Sequence, residues 1–188
     1  MNKLTNPTNL GGMLGESVTI RKLSNRVVVT NRPARKRGEP SEKAALYQEK
    51  FREATQYANM QMEREESRAL YARGADKQKK ITPFIVALTD YIKPPKVTAI
   101  DTGGFFGRVG DVIVVKATDD FMVTKVKVTI RNKAGDLIEE GEASAVPDMV
   151  NTWSFRTTVA IKSPAGTTIR ALAYDRPGNV GSMEVVVV

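Results

Sequence analysis

The side chains of this chain that can do chemistry are carboxylates, amides, hydroxyls and cations, since it contains no histidine and no cysteine. That removes zinc fingers, iron–sulfur clusters, disulfide scaffolds, thiol nucleophiles and imidazole acid–base catalysis together. Among what remains, Asp119, Asp120, Asp175 and Asn179 offer the hard oxygen ligands that calcium takes. They lack the spaced acidic series of a calcium loop. The plainer reading has Asp175 and Asn179 bonding their own backbone in a turn, with Asp119 and Asp120 solvated.

A cationic set, Arg21, Lys22, Arg26, Arg32, Arg35, Lys36 and Arg37, could follow a phosphate backbone, with Tyr47 or Phe51 stacking on bases. With no nucleic-acid motif beside it, the ordinary reading of the same set is a solvated, partly disordered arm ahead of helix-core aromatics. Phe105 and Phe106, flanked by glycines in residues 104–110, are candidates for an exposed contact patch. That glycine-rich stretch lies between strands and has no following helix to receive a phosphate. Glu139, Glu140 and Glu142 alternate along one strand, where charge suits a solvated edge; a glycosidase pair would have to face across a cleft. No residue set here calls for a metal, a cofactor or a small-molecule substrate, and the chain reads as a non-enzyme.

The elements that would position these groups change character along the chain. Residues 17–31 read as a β-hairpin, with β-branched runs at Val18, Thr19 and Ile20 and at Val27, Val28, Val29 and Thr30. An isolated hairpin is marginal in water and needs something to pack on. Residues 32–40, rich in proline and charge, suit an extended connector. Ser41 can cap a helix whose first turn holds Glu42. Tyr47, Phe51, Ala54 and Ala58 recur at spacings of four, three and four, so they predict the buried face. The pattern runs on to Gly74 either as one helix or as two with a break near residues 59–63. Thr82-Pro83 then opens the clearest amphipathic helix, with Phe84, Ile85, Leu88, Tyr91 and Ile92 on one side, expected to meet Tyr47 and Phe51. Lys93-Pro94-Pro95 ends it.

From Lys96 the period becomes two. Seven short runs, at residues 97–100, 112–117, 123–130, 137–143, 153–159, 169–173 and 183–188, are separated by turn-rich pieces, which predicts a β-sandwich. Alternation points Ile113, Val115, Ala117, Val126, Val128, Ile130, Trp153, Phe155, Val159, Ile169, Ala171 and Ala173 inward. Gly110-Asp111 opening a strand, Ala117-Thr118-Asp119-Asp120, and Tyr174-Asp175-Arg176-Pro177-Gly178-Asn179 resemble the matching stretches of bacterial immunoglobulin-like and fibronectin-type-III-like domains. The resemblance implies adhesion, spacing or assembly. It departs from antibody-type domains in having no disulfide and in placing Trp153 on the fifth predicted strand. As a whole the chain is similar to small uncharacterised bacterial proteins, some phage-like or from mobile elements, a group that implies a fold and no activity.

The expected class is therefore α+β: residues 1–40 a β-hairpin and basic arm, 41–93 a helical region, 96–188 an immunoglobulin-like sandwich. Residues 1–100 carry 19 Lys and Arg against 10 Asp and Glu, and residues 101–188 carry 10 against 11, so the basic character belongs to the first half. No signal peptide is read at the N-terminus and no membrane span along the chain, so a cytoplasmic location is expected, with release as part of a virion-like or secreted assembly as a further route. Two functions stay open. One is a structural or interaction protein with a protein partner or self-association; the other is nucleic-acid binding through the basic arm.

Overall fold

The computed structural model describes residues 12–14, 18–23, 26–31, 39 and 41–188, and divides into two compact units, Met1–Ser41 and Glu42–Val188. In the first unit, β1 (Gly12–Leu14), β2 (Val18–Leu23) and β3 (Arg26–Asn31) form an antiparallel sheet in that order. The expected hairpin is β2–β3, with Val18 opposite Asn31 and Leu23 opposite Arg26. β1 adds a third strand, Gly12 opposite Ile20, which three residues without a β-branched side chain did not announce.

The second unit opens with α1 (Glu42–Glu63) and α2 (Glu65–Ala72), separated at Arg64, whose backbone is extended at φ −92° and ψ 118°. Two helices therefore stand where one or two were possible. α3 (Pro83–Ile92) starts as its sequence asks, with Thr82 Oγ1 accepting from the Ile85 N–H at 3.3 Å and proline in the first turn. Ala58, Tyr71, Val86 and Ala87 form the centre of the helical core, flanked by Tyr57, Met62, Phe84, Leu88 and Phe121.

The helical face differs from the expected one. Ala54 and Ala58 are buried, but Tyr47 and Phe51 are 64% and 56% exposed. Length explains it: α1 has 22 residues, about 33 Å, while α3 has 10, about 15 Å, before Lys93-Pro94-Pro95 turns the chain away. The contact from Tyr91 Oη to Glu53 marks the C-terminal end of α3. The first three turns of α1 overhang it.

Seven strands follow: β4 (Lys96–Asp101), β5 (Val112–Thr118), β6 (Lys125–Arg131), β7 (Leu137–Ala145), β8 (Thr152–Arg156), β9 (Thr168–Tyr174) and β10 (Val180–Val186). They form one antiparallel sheet in the order β10-β9-β6-β7-β8-β5-β4. β7 joins its two parts, pairing with β6 over most of its length and with β8 through Ser144 and Ala145. The sheet curls until its end strands come together, nearly closing a barrel, and the backbone of Gly181 on β10 lies so close to the Pro95 carbonyl that no side chain fits there. The architecture is thus mixed α+β, with a single sheet in place of two separate ones.

Its core holds Phe105, Ile113, Val115, Ala117, Val126, Val128, Ile130, Ala143, Phe155, Ile169, Ala171 and Ala173. Two residues assigned inward differ. Trp153 is only half-buried, packed against the core from its edge. Val159 is exposed, since β8 stops at Arg156 where Thr157 bonds back to Asp111 and Arg108. β7 is not an edge either. Glu140 pairs across the sheet with Lys127, Glu142 lies 3.6 Å from Lys125, and Glu139 accepts from the Thr158 N–H and hydroxyl, both at 2.8 Å.

Candidate functional site

The densest set of ionisable and hydroxyl groups lies where the three helices meet one end of the sheet. α1 supplies Tyr57, α2 supplies Ser67 and Tyr71, and α3 supplies Asp90 and Tyr91. The loop from β5 to β6 brings Asp119 and Phe121, and the turn from β9 to β10 brings Asp175, Arg176 and Asn179.

A buried chain of hydrogen bonds runs through it. Tyr71 Oη donates to Asp90 Oδ2 at 2.6 Å, and with that hydrogen committed Tyr57 Oη is the donor to Tyr71 Oη at 2.7 Å. The Tyr71 ring stacks on Phe121, centroids 4.7 Å apart, which fixes the hydroxyl toward α3. Asn179 Nδ2 donates to the backbone carbonyls of Asp90 and Tyr91 at 3.2 and 3.1 Å and to Asp175 Oδ2 at 2.7 Å. Arg176 donates to Ser67 Oγ at 3.0 Å, its guanidinium 5.9 Å from the centre of the Tyr71 ring. Every one of these bonds except Asn179 to Asp175 ties helix to helix or helix to sheet.

The electrostatics follow from burial. Asp90 is fully enclosed, and desolvation, with Asp119 and Asp175 adding repulsion, pushes its carboxyl up to about 7 although the Tyr71 hydroxyl acts in the opposite direction. Burial also raises Asp175, against the hydrogen bonds from Asn179 and Gly178 that favour its charged form. Both tyrosine hydroxyls are held above their ordinary range, first by burial. Burial thus shifts Asp90, Asp175 and both tyrosines toward their neutral forms.

The four oxygen-bearing candidates do not act as one set. Asp175 Oδ1 accepts from the backbone of Gly178 and Asn179, closing its own turn. Asp119 Oδ2 accepts from the N–H groups of Phe121 and Met122, and Asp120 reaches outward to Lys93 at 2.5 Å. Among the described residues no group of three or more carboxylates is arranged to hold a metal ion. Of the cationic set, Arg21, Lys22 and Arg26 have backbones in β2 and β3, while Arg32, Arg35, Lys36 and Arg37 lie outside the described residues.

The two phenylalanines part company. Asp111 Oδ2 accepts from the N–H groups of Arg108 and Phe106 at 2.8 and 2.6 Å, which holds its carboxyl below the usual range and winds the loop tightly. Phe105 consequently turns into the core at 4% exposure, correcting its place in a contact patch, and Phe106 stays 62% exposed beside Arg108.

Tyr57, Tyr71 and Asp90 were not among the residues singled out from the sequence, yet a signal existed. Asp90 is the one charged residue of α3, four after Val86 and three after Ala87, so it shares their buried face. A charge on the buried stripe of a short apolar helix requires a partner. An open cleft of about 500 Å³ adjoins the junction, between α1 and the β9–β10 turn, lined by Leu46, Glu53, Tyr91 and Pro177 among others.

No helix among the described residues is long and apolar enough to cross a membrane. No protein-family model matches the chain, and no curated protein matches it. Among solved structures it is similar to a tetra-tandem repeat in the extending region of a large adhesion protein, at 22% identity over 48% of this chain and 22% of that one, with a TM-score of 0.33. The match spans about a fifth of that solved chain, and a likeness this distant carries no argument about fold or function.

Proposed function

We propose that this chain is a non-enzymatic structural or interaction protein. Residues 96–188 form an immunoglobulin-like spacer or docking module, residues 41–93 are anchored on one end of it, and the N-terminal half mediates assembly. The observation that carries this reading is the overhang of α1. Leu46, Tyr47 and Phe51 are 66%, 64% and 56% exposed on a helix that the rest of the unit holds in place through Ala54, Tyr57 and Ala58. An exposed helix face gains solubility from polar residues, so a large apolar stripe there marks a contact surface. The buried hydroxyl and carboxyl groups of the junction fit the same role, since their bonds hold elements together.

The test is sedimentation of the full chain beside Tyr47→Ser/Phe51→Ser, in which both residues are surface-exposed and the melting temperature should hold. Concentration-dependent association of the parent, lost in the double variant, is the expected result. A parent that stays monomeric at high concentration removes self-assembly through this face. The second reading, nucleic-acid binding through Arg21, Lys22, Arg26, Arg32, Arg35, Lys36 and Arg37, is favoured by the confinement of basic charge to the first half. Affinity for duplex or single strand falling steeply with salt would support it in place of the first.

A further inference from the structure

Asp90, on α3, and Asp119, in the loop from β5 to β6, meet at the helix-to-sheet junction on the stacked Tyr71 and Phe121 rings, Asp90 accepting from the Tyr71 hydroxyl and Asp119 from the Phe121 N–H. Each has one oxygen, Oδ1, that is buried and accepts no hydrogen bond. The donors around them are already committed. The Tyr71 hydroxyl serves Asp90 Oδ2, the Phe121 and Met122 N–H groups serve Asp119 Oδ2, and the Asn179 amide serves Asp175 and two backbone carbonyls. Two ionised carboxylates at this junction repel and leave both buried oxygens without a donor. One hydrogen between them cures both defects.

We propose that Asp90 and Asp119 share a single proton, and that its loss at raised pH loosens α3 from the sheet, making this junction a pH-sensitive latch. The titratable groups around Asp90 from each packed element are Tyr57 on α1, Tyr71 on α2, Asp119 before β6 and Asp175 in the β9–β10 turn, with Arg176 of that turn over the Tyr71 ring. Three carboxyls thus stand against one cation, and that cation is engaged with Ser67 and the Tyr71 ring. Burial first, then Asp119 and Asp175, raise Asp90 to about 7 from its ordinary 3.8. The folded pKa lies above the unfolded one, so the folded chain binds a proton that the unfolded chain releases between those values. Its stabilisation is full below about 4, declines as pH rises through the window, and is gone above the folded value.

The test uses the full chain. Melting temperature is followed from pH 5 to 8.5 for the parent, Asp90→Asn and Asp119→Asn, since asparagine supplies a permanent donor to the remaining carboxylate. The parent should lose roughly 5–10 °C over this range, and each variant should lose much less. Carbon NMR of the parent's aspartate carboxyls gives an answer that needs no variant to fold: Asp90 should titrate near neutral pH. Titration of Asp90 in the ordinary carboxylate range would overturn the proposal, as would a parent whose melting curve runs parallel to both variants. Calcium that raises the parent's melting temperature at pH 8 but leaves that of Asp90→Asn unchanged would overturn it too, by placing a cation where the proton is assigned.

Discussion

The side-chain amide of Asn179 donates to the backbone carbonyl of Asp90 at 3.2 Å, so a turn residue of the sheet closes the last turn of a helix 89 positions earlier in the chain. The final carbonyls of any helix lack partners within it, and here Asn179 satisfies those of Asp90 and Tyr91 together. The neighbouring Arg176 binds α2 at Ser67, so one turn grips two helices.

Replacing Asn179 with alanine removes three hydrogen bonds from a part-buried position. The expected loss is about 2–3 kcal/mol, because the two carbonyls and Asp175 Oδ2 lose a donor at a part-buried position. Urea denaturation of the full chain should show a lower midpoint at an unchanged slope. A midpoint within error of the parent would mean that the turn does not hold the helix.

Changing Tyr71 to phenylalanine tests the electrostatics of Asp90. The hydroxyl favours the charged carboxylate, so its removal should raise the Asp90 titration further above about 7. The sign is fixed: with the folded value higher, the interval over which stability falls with rising pH extends upward, and the variant should lose more between pH 7 and 9 than the parent. Melting temperature across that interval reads it, and a variant less sensitive than the parent would contradict it.

Gly181 sits against the Pro95 backbone at the place where β10 meets β4. A methyl group there would meet main chain, which cannot rotate away as a side chain could. Gly181→Ala should therefore force the ends of the sheet apart at a cost of about 3 kcal/mol, with faster amide exchange in β4 and β10 than in the other strands. Unchanged exchange would show that the sheet ends do not depend on that approach.

Phe155 and Trp153 stand two apart on β8 and contrast in burial, Phe155 being 5% exposed and Trp153 half-buried at the strand's start. The Phe155 ring also fills the space above Gly141, 2.8 Å from where a side chain there would begin. Phe155→Ala should cost about 3–5 kcal/mol by leaving a cavity. Trp153→Ala should cost less despite the larger residue, since solvent already reaches part of it. Chemical denaturation of both variants compares them, and equal losses would place Trp153 deeper than the rim.

Local periodicity by itself determined much of the chain. Alternation from Lys96 onward marked Ile113, Val115, Ala117, Val126, Val128, Ile130, Phe155, Ile169, Ala171 and Ala173 as core, and all ten are buried, because a strand offers only two faces and burial selects one. Thr82-Pro83 likewise announced the start of α3, since capping is a transaction between residues three apart. What only the tertiary structure decided involves elements far apart in sequence. Whether the stripe on α1 is covered depends on where α3 ends, so Tyr47 and Phe51 are exposed while Ala54 and Ala58, on the same stripe, are buried. Whether Trp153 is enclosed depends on its place at the rim, and whether seven strands make one sheet or two depends on β7 pairing with both β6 and β8. Asp90 shows the division most clearly: its position on a buried face was written in the spacing of α3, but the tyrosine from α2, the aspartate before β6 and the asparagine after β9 arrive only when the chain closes on itself. A residue's face is set by neighbours within one turn or one strand, whereas its partners are set by contacts between distant elements, which no local pattern encodes.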